Sequence, residues 1–227
     1  MTNDTTLERE CLRVYRRYAV EIVETLGFCP YAERSRVEGH TREVVMLSPT
    51  LELSTALEVT RAIAHEDHLE IALLIFPRVS EPRLAFARFV ERLRAAHQHS
   101  EEGLVMAMEG FHPEAEPDLH APERLVPFVR RTPDPTIQLV RHSVLERVRR
   151  TAPSGTSFFD PSHMSLDAFL HTPTPKPLHE RIANANHETV RRLGVAQVRA
   201  MLDDILRDRD ESYASLGEPP RAFDPSP

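Results

Sequence analysis

The apolar run Ile71-Ala72-Leu73-Leu74-Ile75-Phe76, ended by Pro77, decides the predicted fold. Six apolar residues without alternation indicate a strand that is buried on both faces, as in a sheet covered by helices. Further strand and helix patterns alternate around this run: strands at 43–47 and 103–108, helices at 50–65 and 82–98. This order predicts an α/β fold with a small, mostly parallel βαβαβ sheet, right-handed crossovers and flanking helices.

The remaining segments predict a helical framework around this sheet. Before it, apolar residues at three- and four-residue steps predict a helix over 7–26. After it, the patterns predict a proline-rich extended loop over 114–135, a helix over 137–150, a long loop over 151–177 with a short helix near 165–170, and a last helix over 178–208. We therefore expect a single domain over residues 1–214 with a helical C-terminal part, followed by a flexible proline-rich tail over 215–227.

Composition narrows the function classes. The chain has 227 residues, 41% of them apolar and 28% charged, as in a globular protein with one good-sized core. Its net charge is −7 and its arginines alternate with glutamates, which argues against a nucleic-acid surface. The sequence contains no run of about 18 apolar residues, so it predicts no membrane-spanning helix. Two cysteines and the lack of a signal-peptide pattern predict a cytoplasmic protein, and its oligomeric state is left open.

The stretch Leu26-Gly27-Phe28-Cys29-Pro30-Tyr31-Ala32 ends the N-terminal helix pattern abruptly. Gly27 can adopt the left-handed conformation that ends a helix. Proline is favoured at the first position of a helix, so a new helix starting at Pro30 would make Cys29 its N-cap. The helix N-terminus would then lower the pKa of the Cys29 thiol. The alternative is that Cys29 is a small buried residue that only packs in a turn. Cys11 is predicted to pack in the core in the same way, within the N-terminal helix.

The carboxyl ends of the predicted parallel strands form a second candidate region, because open parallel sheets bind ligands there. Arg78 follows one strand and His112 follows another. Histidine titrates near neutral pH and could act as an acid, a base or a ligand. Equally, His112 could be hydrogen-bonded to the backbone at the end of its strand.

Arginines surround the turn Thr132-Pro133-Asp134-Pro135. Arg131 and Arg141 carry guanidinium groups whose geometry suits carboxylate or phosphate. The alternative is an internal ion pair, for example with Asp134 or Glu146.

Four blocks in a fixed order resemble a known bacterial family, the family of unknown function numbered 1415. The blocks are Leu-Gly-Phe-Cys-Pro-Tyr-Ala, Phe-His-Pro, Arg-Thr-Pro-Asp-Pro-Thr-Ile-Gln-Leu-Val-Arg, and Asn-His-Glu-Thr-Val-Arg-Arg-Leu-Gly, and the resemblance covers about residues 8–195. Two positions depart from the family pattern: Tyr31 stands where phenylalanine is expected, and Asp134 stands where an aromatic residue is usual. The family brings no activity with it, but the resemblance implies that Cys29, His112 and the 131–135 turn belong to one site.

These observations lead to one main hypothesis, an enzyme or enzyme-like protein that binds an anionic small molecule. Cys29 would be a thiolate and His112 its acid–base partner. The predicted substrate-binding residues are Arg131, Arg141, Arg78 and Tyr31. The alternatives are a metal or haem site that uses Cys29 and His112, and a non-catalytic protein-interaction module. The sequence identifies no cofactor.

Overall fold

A computed structural model describes residues 2–100, 106–151 and 178–221 of the chain. Three strands form in the predicted order: β1 is Thr41–Val45, β2 is Ile71–Ile75 and β3 is Met106–Phe111. The connecting helices follow the predicted patterns, with α3 at Leu53–Ala64 and α4 at Arg83–Ser100. The protein is therefore a mixed α/β fold, and every residue of β2 is buried, as the apolar run predicted.

A fourth strand, which the sequence analysis assigned to a helix, completes the sheet. Residues 137–150 were predicted to be helical, but β4 covers Thr136–Arg141 and a helix, α6, covers His142–Thr151. The sheet order is β1-β2-β4-β3, in which β1 pairs parallel with β2 while β4 pairs antiparallel with both β2 and β3. The helical prediction was wrong because Ile137 and Leu139 alternate onto one face of the sheet while the following apolar residues continue at helical spacing.

Each face of the sheet carries its own core. The crossover-helix face is the side onto which Ala72 and Leu74 project, and there α3 and α4 pack against the sheet. The terminal-helix face is the side of Leu73 and Ile75, where the N- and C-terminal helices pack. Alternation of side chains along β2 therefore divides the molecule into two layers of helices with the sheet between them.

The N-terminal helix, α1, covers Thr2–Tyr18 and continues as a π-helix over Ala19–Glu24. Gly27 then has a φ of 68°, which confirms the predicted left-handed end of this helix. Phe28 folds back into the core and its N–H donates to the Val23 carbonyl at 2.8 Å. A short helix, α2, follows at Ala32–Val37 and leads into β1.

The proline-rich segment 114–135 contains a helix that the sequence analysis excluded. This helix, α5, covers Pro122–Val129. Pro122 stands at its first position, where a missing N–H costs nothing, and Pro127 removes only one internal hydrogen bond. Its apolar residues Leu125, Phe128 and Val129 join the core of the terminal-helix face. Burial of this face outweighs the low helix propensity of the prolines.

The C-terminal part consists of two helices where one was predicted. These are α7, Leu178–Leu193, and α8, Val195–Ser215, which meet at Gly194 with a φ of 89°. Beyond α8, Glu218 and Arg221 of the predicted tail bond to Arg78 and to the Pro133 carbonyl. The predicted loop 151–177, apart from Thr151, and its short helix lie outside the described residues. Across the described ranges, no helix has the length and apolar character needed to cross a membrane.

Candidate functional site

Cys29 lies in the turn between the π-helix and α2, on the terminal-helix face. It is not the N-cap of a helix beginning at Pro30, because α2 begins at Ala32 and Tyr31 is its N-cap residue. Tyr31 makes no side-chain capping bond there. The thiol lines a cavity of about 60 Å³ between α1, the π-helix, α2 and the sheet.

The environment of Cys29 acts on its pKa in two directions. Burial raises the pKa of the Cys29 thiol above its ordinary value, and this effect is the largest. The backbone N–H groups of Tyr31 and Ala32 lower the pKa, as a helix N-terminus should, but by less. The net direction is opposite to the lowering predicted from the sequence, so Cys29 is a neutral thiol near pH 7.

His112 is buried beyond the end of β3, beside Phe86 of α4. Its Nδ1 accepts a hydrogen bond from the Glu114 N–H at 3.1 Å, and its Nε2 lies 3.0 Å from the Glu81 carbonyl oxygen. The ring therefore carries its proton on Nε2 and is neutral. Burial lowers the pKa of His112 to about 4, the main cause being loss of hydration of the charged ring. These hydrogen bonds match the second interpretation of His112, a histidine at the end of a strand that is held by the backbone.

The structure does not bring Cys29 and His112 together. Cys29 lines a cavity on the terminal-helix face, while His112 packs against α4 on the crossover-helix face. The sheet and its side chains separate the two residues, so the histidine is out of hydrogen-bond reach of the thiol. One metal or haem iron could not bind both. Within the described ranges, no group of three or more His, Cys, Asp or Glu side chains is arranged to hold a metal ion.

Two of the predicted substrate-binding arginines have structural partners. Arg141 donates to the carbonyls of Leu69, Ala64 and Glu66 and so caps the C-terminal end of α3. Arg78 donates to Glu218 at 2.7 Å and to Asp4 at 2.8 Å, which joins the two ends of the described chain. Arg78 does follow β2 at the same end of the sheet as His112, as predicted, but its guanidinium is neutralised there.

Arg131 is also held by the protein. Its Nε donates to the Pro113 carbonyl at 2.9 Å and one terminal nitrogen approaches Asp203 of α8 at 3.2 Å. Its guanidinium lies 6.0 Å from the centre of the Phe128 ring. The predicted arginines therefore do not converge on one anion.

Asp134 belongs to a buried ion-pair network, the kind of alternative considered for this turn, but its partners were not predicted from the sequence. Its carboxylate accepts from the Arg209 Nε at 2.9 Å and from the Tyr213 hydroxyl at 2.8 Å, and both partners come from α8. The Asp134 carbonyl accepts from Thr132 and Thr136. Only about 1% of Asp134 and 4% of Arg209 is exposed, so this is a structural ion pair and not a binding site.

Two adjoining cavities form a groove on the crossover-helix side of the molecule, near the strand ends. One cavity of about 220 Å³ lies between α4, β3 and α5, and a second of about 610 Å³ continues it along the 115–120 loop. The two share Arg83, Ala115 and Pro127. Phe86 and Val90 provide an apolar floor for the first, together with His112. We call this space the α4–α5 groove.

Most charges around the α4–α5 groove are paired. Arg94 bonds to Glu91 at 2.7 Å, Arg130 to Glu109 at 3.3 Å and Arg124 to Asp118 at 2.9 Å. Arg83 is the exception, because no residue in the described part of the chain forms an ion pair or hydrogen bond with its guanidinium. It is exposed at the junction of the two cavities. The groove therefore combines an apolar floor with one uncompensated positive charge.

Arg83 was not singled out from the sequence, although a signal for it existed. It begins α4, the helix that follows the carboxyl end of β2, and this is the position from which open sheets bind ligands. Arg130 is one of the arginines that surround the 132–135 turn. Its guanidinium lies 5.1 Å from the centre of the Phe111 ring, at the edge of the groove.

Comparison with known proteins places the chain by family alone. No curated protein and no solved structure matches it significantly. The model of a family described as proteins of unknown function, DUF1415, matches residues 11–162, a span that includes Cys29, His112 and the 131–135 turn. This agrees with the resemblance carried by the four sequence blocks, and the chain belongs to the DUF1415 family.

Proposed function

We propose that the protein binds a small anionic molecule with an apolar body in the α4–α5 groove. The observation that carries the proposal is Arg83, a guanidinium without a protein partner among the described residues, beside a floor formed by Phe86 and Val90. An anionic group would pair with Arg83, and the apolar part of the ligand would cover the floor. This keeps the anionic ligand expected from the sequence but assigns it to different residues.

The proposal is one of binding, without an acid–base role for His112. Both ring nitrogens of His112 already have backbone partners, and its lowered pKa keeps it neutral at pH 7. It therefore fixes the shape of the groove and exchanges no proton with the ligand. Gly110 also shapes the groove, because a Cβ there would lie 3.1 Å from Val90 Cγ2 and the Val90 side chain would have to shift by a few tenths of an ångström.

The test uses benzoate and benzamide, which share a ring and differ in charge. We expect benzoate to shift the backbone amide NMR signals of α4 and of Gly110, and benzamide to bind about tenfold more weakly, because it lacks the charge-assisted bond to Arg83. Arg83→Gln should reduce benzoate affinity to that of benzamide.

The matched control is Arg88→Gln. Arg88 is an exposed residue of the same helix and lines neither cavity, so this variant should bind benzoate like the original protein. Equal affinities for benzoate in Arg83→Gln and Arg88→Gln would contradict the proposal, and so would equal binding of benzoate and benzamide.

A further inference from the structure

The cavity beside Cys29 is separate from the α4–α5 groove, since it opens on the terminal-helix face of the sheet. Its volume is about 60 Å³. One buried water needs about 10–15 Å³ of such a cavity. The space is therefore large enough for several waters or for one molecule of about four or five non-hydrogen atoms. Tyr15 and Tyr18 of α1, Gln138 of β4 and Cys29 line it.

Polar groups without protein partners face this cavity. Tyr15 is only 5% exposed, yet its hydroxyl makes no hydrogen bond with any residue in the described ranges. The side-chain amide of Gln138 likewise has no bonding partner among them. The neighbouring Tyr18 shows the contrast, because its hydroxyl donates to the Val129 carbonyl at 2.9 Å. Because polar groups away from bulk water are nearly always hydrogen-bonded, the Tyr15 hydroxyl takes its partner from an occupant of the cavity, either a water or a ligand.

The charged groups around the cavity indicate that this occupant is uncharged. Glu24 forms a bidentate pair with Arg36 at 2.7 and 2.8 Å, and Glu43 pairs with Arg16 at 3.1 Å. The groups left for a ligand are a hydroxyl, an amide and a thiol, all neutral. The Gln138 amide offers a donor and an acceptor together, which matches a molecule that also carries both.

We propose that this cavity is a second binding site, which takes a compact uncharged molecule of the primary amide or urea class. Gln138 and the Tyr15 hydroxyl hold its carbonyl and amino groups, and the Cys29 thiol lies against the ligand. The site does not depend on the ligand of the α4–α5 groove.

Alkylation of Cys29 tests this directly, because iodoacetamide is itself a compact primary amide and iodoacetate is its charged counterpart. In either reaction the Cys29 sulfur, after losing its proton to solvent, forms a bond to the methylene carbon and iodide leaves. We expect the rate ratio of iodoacetamide to iodoacetate at Cys29 to exceed the ratio for glutathione by about tenfold, the effect of two hydrogen bonds. Peptide mass spectrometry separates Cys29 from Cys11, which is fully buried.

Acetamide provides a second test, because it is a compact primary amide that cannot alkylate the thiol. It should compete for the cavity and slow the reaction of Cys29 with iodoacetamide.

Three variants distinguish the site from simple repulsion of iodoacetate by Glu24 and Glu43. Tyr15→Phe and Gln138→Leu leave all charges unchanged, and each should bring the rate ratio back toward that of glutathione. Tyr31→Phe is the matched control and should keep the high ratio, because Tyr31 lies close to Cys29 in the chain but does not line the cavity. A ratio equal to that of glutathione, an absence of protection by acetamide, or a Cys29 that reacts with neither reagent in the folded protein would overturn the proposal. Circular dichroism spectra verify that each variant is folded.

Discussion

At the scale of single residues, neighbours distant in sequence decide which chemistry a side chain can carry out. His112 has the position expected of an acid–base group, but the Glu81 carbonyl from another loop and the Glu114 N–H occupy its ring nitrogens. Cys29 has the backbone N–H groups expected to favour thiolate, yet burial outweighs them. The sequence singled out both residues, but it could not supply the long-range contacts that determine their protonation.

His112 predicts a dependence of stability on pH. Its pKa is lowered from 6.5 to about 4 in the folded protein, so the unfolded chain binds more protons between these values. Its contribution to the free energy of unfolding is therefore complete above about pH 6.5 and decreases as the pH falls toward 4. We expect the free energy of unfolding to fall by about 2 kcal/mol more between pH 7 and pH 5 in the original protein than in His112→Gln.

Urea titrations at several pH values measure this difference, with the variant itself as the control for all other titrating groups. Parallel pH profiles for the two proteins would show that His112 has the same pKa in the folded and unfolded states, contrary to the prediction.

At the scale of elements, residue periodicity located the segments that have a uniform pattern and failed where two patterns overlap. The buried strand β2 and the helices α3 and α4 were predicted within a few residues. β4 was missed because its alternating residues run directly into the helical spacing of α6. α5 was missed because its prolines argue against a helix, whereas its packing against the terminal-helix core favours one. Packing is a property of the whole fold, and local propensity does not contain it.

The attachment of α8 to the turn before β4 predicts a large effect of one substitution. Asp134→Asn removes the charge that compensates Arg209, although Arg209 stays buried. We expect a loss of about 3–5 kcal/mol in the free energy of unfolding, the usual cost of leaving one member of a buried pair unpaired. Asp204→Asn is the matched control on the same helix, because Asp204 is 46% exposed where it meets Arg17 and should cost less than about 1 kcal/mol. Urea denaturation measures both values, and similar losses would contradict the assignment of Asp134 as the anchor of α8.

At the scale of the whole molecule, α8 extends the folding unit beyond the matched family segment. The match ends at residue 162, but Val198, Leu202, Ile205 and Tyr213 of α8 are almost fully buried in the terminal-helix core. The N-terminal helix also meets α8 through Arg13 and Arg17, which pair with Asp208 at 2.7 Å. The sequence predicted a helical C-terminal part but not this contact, because it joins residues nearly 200 positions apart.

Truncation tests whether α8 is an integral part of the fold. A chain ending at Gly194 loses four buried side chains, each worth about 1.5–3 kcal/mol, and leaves Asp134 without Arg209. The sum is comparable with the whole stability of a typical domain, about 5–15 kcal/mol. We therefore expect this chain to lack cooperative unfolding in urea, measured by circular dichroism. A chain ending at Arg221 is the control and should unfold like the full protein, because it keeps α8 together with the bonds of Glu218 and Arg221. Cooperative unfolding of the shorter chain at the midpoint of the full protein would show that the sheet and the remaining helices fold without α8.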